Sequence, residues 1–174
     1  EYTMKLYDMS QKLGHFYNAM DEIQESAKKV ENEALEETLS ALTEKAEAFN
    51  NSIVAMGGDF YVDEEEKIRE KVADLYRRVS GYPGKPSATQ MANTDALVKD
   101  VAEVESEFNS FIESDLLAVN EALAEAELGQ IEFTSFDDYL DDKVAGKRGG
   151  GKQLYNKYIK TYSLGMPWYT GFLR

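Results

Sequence analysis

The sequence predicts an all-α fold, an antiparallel up-down bundle of about four helices with coiled-coil-like heptads, followed by a basic aromatic C-terminal tail. Three observations predict it. Apolar residues recur at alternating steps of three and four along most of the chain up to Ala126. Glycines, prolines and capping residues interrupt that pattern at intervals suited to helix ends. No segment alternates apolar and polar residues long enough for a convincing strand, and the short run Ile131-Glu132-Phe133-Thr134 comes nearest.

The first seam reads Leu6, Met9, Leu13, Phe16, Met20, Ile23, Ala27, Val30, and the second Leu35, Leu39, Leu42, Ala46, Phe49, Ile53, Met56. Each keeps the 3.5-residue average of a packed helical seam. The step of five from Val30 to Leu35 would rotate the stripe off its face, so a turn is expected near Glu31-Asn32, with Asn32 as N-cap. A single long helix with a skip is the alternative. Gly57-Gly58 ends the second helix as a glycine C-cap.

Asp63 with Glu66 forms a capping-box pair for a third helix carrying Ile68, Val72, Leu75 and Val79, which Gly81, Pro83, Gly84 and Pro86 stop. Ser87 with Gln90 opens the last long helix. It carries Leu97, Val101, Val104, Phe108, Ile112, Leu116, Val119, Leu123 and Ala126, and Gly129 ends it. Its steps become four and four from Phe108 to Leu116, a stutter that locally unwinds or bends the seam.

A chain of 174 residues with 43% hydrophobic content supports one domain with a real core. The absence of Cys excludes disulfides, thiolate metal sites and cysteine nucleophiles. Nothing approaches the roughly 18 to 20 apolar residues of a membrane span. The chain opens on Glu1, which marks a processed chain or a piece of a longer one.

The net charge of −14 argues against general nucleic-acid binding. All 33 acidic residues fall within 1–142, together with 12 basic ones, whereas 143–174 holds seven basic residues and no acidic one. Two regions follow, an acidic helical bundle over 1–142 and a basic Gly/Tyr-rich tail over 143–174 with a short amphipathic helix.

The strings MKLYDMSQKL, LYRRVSGYPGKPSATQM and DLLAVNEAL, in that order, carry a family resemblance. Residues 1–142 resemble the C-terminal helical region of bacterial secreted sortilin-like BNR-repeat proteins, propeller proteins often labelled glycosyl hydrolases. The resemblance implies a secreted, periplasmic or cell-surface setting, with any glycan chemistry in a propeller outside this chain. It transfers no catalytic residue. The family often places a proline in the segment matching Asp115-Leu116-Leu117; its absence here favours a continuous helix.

No residue pattern assembles a catalytic, cofactor or metal site. His15 is the only histidine, which cannot supply the paired ligands of a di-iron bundle and has no evident triad partners; it reads as a partly exposed residue beside the Leu13/Phe16 seam. The acidic clusters Glu64-Glu65-Glu66 and Asp137-Asp138 with Asp141-Asp142 read as solvated helix faces or helix N-termini. A calcium site at the second cluster is the sharper reading, but it lacks the EF-hand spacing. Residues 146–152, GKRGGGK, lack the Ser/Thr after lysine that a phosphate loop needs, and read as a flexible basic linker.

The candidate interaction residues are Tyr155, Tyr158, Ile159 and Tyr162 on one helical face, then Trp168, Tyr169 and Phe172 beyond the Gly165 and Pro167 break. Docking within the same protein is the preferred role for them; a separate partner chain and an anionic membrane surface are the alternatives. The expected function is a non-enzymatic structural or protein-interaction module whose partner is its own upstream propeller or β-domain, or another chain. The alternatives are an accessory part of a propeller-type glycan hydrolase and a self-assembling coiled-coil oligomer.

Overall fold

A computed structural model describes residues 1–55 and 66–144. The described residues are all-helical, without a strand. Helix α1 spans Tyr2–Ala27, α2 Glu36–Ile53, α3 Ile68–Ser80 and α4 Ala88–Ser110. The last runs without a break through a π-helical segment, Phe111–Leu116, into α5, Leu117–Glu125, and α6 follows at Phe136–Val144. The chain divides into two units between Thr134 and Ser135.

The seam residues are where the core lies. Leu6, Met9, Leu13, Phe16, Met20, Ile23 and Ala27 of α1 are buried, as are Leu39, Leu42, Ala46, Phe49 and Ile53 of α2. Val30 and Leu35, in the connection, are half-buried. Burial on α1 extends well beyond the seam, because α1 packs against α2, α3 and α4. Residues 13 to 17 are buried in succession, and Gln11 and Gln24 are buried as well. A helix flanked on several sides keeps only a narrow exposed face, which here carries Met4, Tyr7, Asp8, Asp21 and Glu25.

Named pairs fix the helix directions. Lys5–Asp95 (3.3 Å), Lys12–Glu105 (2.7 Å) and the stacked rings of Phe16 and Phe108 advance together, so α1 and α4 run in the same direction. Tyr7 meets Tyr76, and the Arg69 guanidinium lies 5.2 Å from the Tyr17 ring centroid, so α3 opposes α1. Phe49–Phe108 and Lys45–Asp115 set α2 against α4 and its π-helical extension.

It follows that α2 and α3 share one direction, which differs from the expected strict alternation of four helices. Tyr17 marks their junction beside α1. Its carbonyl oxygen accepts a bond from Asn50 Nδ2 near the end of α2, and its ring carries Arg69 at the start of α3. Length gives the reason. At ~1.5 Å per residue, α1 is ~39 Å long and α2 only ~27 Å, so a second short helix completes the cover.

The helix ends adjust several expectations. Ser87 and Gln90 form the expected capping box, with Gln90 N–H donating to Ser87 Oγ and Ser87 N–H to Gln90 Oε1. Asn32 does not cap α2. Its Oδ1 accepts from Ala34 N–H within its own turn, and α2 starts later, at Glu36. Glu66 precedes α3, which starts at Ile68 with Lys67 in the N-cap position. Asp63, Met56 and Gly57-Gly58 lie outside the described residues.

Gly129 is not the residue that ends α5. Glu127 takes the left-handed conformation (φ 56°), while Leu128 N–H donates to Leu123 O and Glu127 N–H to Ala124 O. That is a Schellman ending with glutamate in the place glycine usually holds. The expected stutter falls at the π-helical segment. There Phe111 is buried and Ile112 half-buried, so the seam runs Phe108, Phe111, Leu116. A step of five stays on one face where the backbone bonds close from i to i+5.

In α6, Asp137 and Asp138 occupy the first turn, where their charge suits the helix dipole. Ser135 Oγ accepts from Asp138 N–H and donates to Asp138 Oδ2, so Asp137 and Asp138 sit at a capped helix start, while Asp141 and Asp142 fall in the later half of α6. No described helix is long and apolar enough to cross a membrane.

Candidate functional site

The most convergent polar arrangement among the described residues lies where the chain leaves α5. Residues 129–134 form neither helix nor strand, so their backbone groups need other partners. Side chains supply them. Asn120 on α5 donates from Nδ2 to Ile131 O (3.0 Å) and accepts at Oδ1 from Ile131 N–H (2.8 Å). Glu22 on α1 accepts from Thr134 N–H at Oε2 (2.7 Å) and from Thr134 Oγ1 at Oε1 (3.2 Å). His15 Nε2 lies 2.9 Å from Thr134 O; a carbonyl oxygen only accepts, so Nε2 carries the hydrogen. The segment is a strap tied to two helices by three polar side chains.

Beneath the strap lies an aromatic cluster centred on Phe108. Its ring stacks on Phe16 at 4.5 Å between centroids, meets Phe133 edge-on at 6.1 Å, and lies within 6.0 Å of both Phe49 and His15. Such geometries add roughly 0.5 to 1.5 kcal/mol per pair beyond area burial. Phe108 therefore joins α1, α2, α4 and the strap at one point. His15 is buried here, not partly exposed as its place beside the seam suggested.

Further along α1, burial holds the Tyr17 hydroxyl above its ordinary pKa, with the Asp21 charge adding and Arg69 opposing. The Asp21 carboxyl is also raised, first by desolvation and then by Glu25, with a smaller addition from Glu22 and an opposing effect from Lys28. Each shift has a local cause in the packing of α1.

Two shallow surface depressions each follow essentially one helix face. One follows α4 and the π-helical segment through Ala102, Glu105, Ser106, Asn109, Ser110, Glu113 and Ser114; the other follows the start of α2 through Glu33, Glu36, Glu37, Ser40, Ala41 and Glu44. Neither has an opposing wall to enclose a small molecule. Among the described residues no group of three or more His, Asp or Glu is placed to hold a metal ion.

Tyr155, Tyr158, Ile159, Tyr162, Trp168, Tyr169, Phe172 and the GKRGGGK linker lie outside the described residues. Glu22, Asn120 and Thr134 were not foreseen as a group. The short Ile131 to Thr134 run, read from sequence only as the nearest approach to a strand, is the one signal that could have found them, because a lone strand-like segment needs backbone partners. No protein-family model, curated protein or solved structure matches the chain.

Proposed function

We propose that the chain is a non-enzymatic structural and protein-interaction module, a helical bundle with coiled-coil-like seams that serves as the C-terminal appendage of a larger secreted BNR-repeat protein. The strap supports this reading most directly. Glu22, Asn120 and His15 are the polar side chains that converge, and each is engaged with a backbone group of residues 131–134. Side chains bound to backbone in this way rigidify a fold. A rigidified helical module suits spacing or support of a larger protein.

The parent and the secreted setting rest on the resemblance of the three sequence strings. Mass-spectrometric sequencing of the intact protein from its native source tests them. Peptides from an Asp-box propeller joined to Glu1 would support the appendage reading, and a mature chain starting at Glu1 would overturn it. The non-enzymatic part has its own test on a glycan panel. Hydrolysis by the purified chain, abolished by a point substitution that leaves the circular dichroism spectrum intact, would overturn that part.

A further inference from the structure

The strap closes where negative charge has no counterweight on the elements it joins. Residues 13–27 of α1, together with residues 117–134 of α5 and the strap, carry seven acidic side chains and no lysine or arginine. The bonds of Glu22 to Thr134 and of Asn120 to Ile131 bring these stretches together within the first unit. Glu132 stands exposed between the two anchored residues, only two positions from the Thr134 that Glu22 holds. That spacing sets its carboxylate within roughly a Debye length of Glu22, ~10 Å at 0.1 M salt. On α5, Glu121 and Glu125 are exposed one turn apart and Glu127 follows, with no basic residue in the last turn. A helix C-terminus is the negative end of its dipole, and like charges at i,i+4 repel, so both arrangements oppose closure there. On α1 the Asp21 carboxyl is raised, first by desolvation and then by Glu25, with Lys28 opposing and Glu22 adding. Lys12 and Lys45, on the flanking helix turns, are paired with Glu105 and Asp115.

We propose that the strap is an ionic-strength-sensitive latch, held shut on α1 when salt screens the surrounding carboxylates and released as salt is withdrawn. Two features make this a local event. Residues 129–134 belong to no helix or strand, so side-chain bonds from Asn120, Glu22 and His15, with the burial of Ile131 and the Phe133–Phe108 contact, hold them in place. A segment held by so few contacts opens at lower free energy than the helical core. Opening also carries Glu132 away from α1 and returns the Glu22 carboxylate to water, which relieves the repulsion that closure builds up. Salt screens exposed charges strongly and part-buried hydrogen bonds much less. Added salt therefore weakens what opposes the latch and spares what holds it. The latch concerns the strap itself and stands whether or not the chain is an appendage of a larger protein.

Amide hydrogen exchange of the full chain, followed by NMR, tests the proposal. Ile131 N–H donates to Asn120 and Thr134 N–H to Glu22, so these two amides report the closed strap. The amide of Met20, fully buried in α1, reports the core. Between roughly 10 and 500 mM sodium chloride, protection at Ile131 and Thr134 should rise about two- to five-fold relative to Met20. Glu132→Gln should raise that protection at low salt and shrink its response to salt. Asp8→Asn removes an exposed charge 14 residues before Glu22 on α1, ~21 Å along the helix, and should change neither. Both substituted side chains are exposed, so the circular dichroism spectrum should stay that of the parent. Protection that ignores salt would overturn the proposal, and so would a rise matched in full at Met20, since salt would then act on the whole fold. A Glu132→Gln strap no better protected at low salt than that of Asp8→Asn would overturn it as well.

Discussion

Asn120 holds Ile131 at both of its backbone groups, accepting from its N–H at 2.8 Å and donating to its carbonyl oxygen at 3.0 Å. One side chain thus does for the strap what a neighbouring strand would do. Ile131 is buried, so loss of the side chain strands both backbone groups away from water. Asn120→Ala should destabilise the protein by about 2 kcal/mol, within the ~1 to 3 kcal/mol range for unsatisfied buried groups. Asn120→Asp keeps the acceptor for Ile131 N–H but sets a carboxylate oxygen against the Ile131 carbonyl oxygen, so it should cost at least as much. Urea denaturation of the three proteins checks the order, and a neutral Asn120→Ala would show that the strap adds nothing to stability.

Much of the fold was readable because the seam on α1 and α2 obeys a 3.5-residue spacing that only a helix satisfies. The Ser87/Gln90 pair was equally readable, since its chemistry is local. What escaped is long-range. His15 and Gln11 are buried because other elements cover the far side of α1, and no periodicity within α1 encodes that cover. The shared direction of α2 and α3 depends on how two short helices span a longer one, which the turn residues between them do not reveal. The strap bonds join residues 112 apart in sequence for Glu22 and Thr134, beyond the reach of any motif.

Glu127 is the described non-glycine residue with positive φ, at 56°, in the position that closes α5. The left-handed conformation costs an L-residue roughly 1 to 2 kcal/mol, most of all when it is β-branched. Glu127→Gly relieves that strain but gains entropy in the unfolded chain, for a net stabilisation of about 0.5 kcal/mol. Glu127→Val should lose about 1 kcal/mol. Thermal melts should place the glycine variant above the parent and the valine variant below it; the reverse order would mean that the helix end relaxes to another geometry.

The π-helical segment makes a prediction that separates two registers of the seam. Heptad logic puts Ile112 in the core, whereas the structure buries Phe111 and leaves Ile112 half-buried. Phe111→Ala should therefore cost about 3 to 5 kcal/mol, and Ile112→Ala about 1 to 2 kcal/mol because its site is only partly covered. Denaturant midpoints measure both. If Ile112→Ala proved the more damaging, the segment would be an ordinary α-helix with a four-four step.

Asp21 ties stability to pH with a definite sign. Desolvation and the neighbouring Glu25 and Glu22 charges raise its carboxyl above the ordinary value, against the opposing Lys28. The folded chain therefore binds this proton more tightly than the unfolded one. The group's contribution to stability is fullest in acid and falls as pH rises through the ordinary carboxyl range toward the raised folded value. At neutral pH the ionised carboxylate is a net cost. Asp21→Asn removes that cost, with a gain of about 0.5 kcal/mol or less because the side chain is exposed and screened. The gain should shrink on acidification and vanish only well below the ordinary carboxyl value of about 3.9, where the carboxyl is protonated in both states. Urea midpoints of parent and variant at neutral and acid pH measure it. A variant less stable than the parent at pH 7, or an advantage that grows in acid, would show that Asp21 makes a favourable ionic contact instead.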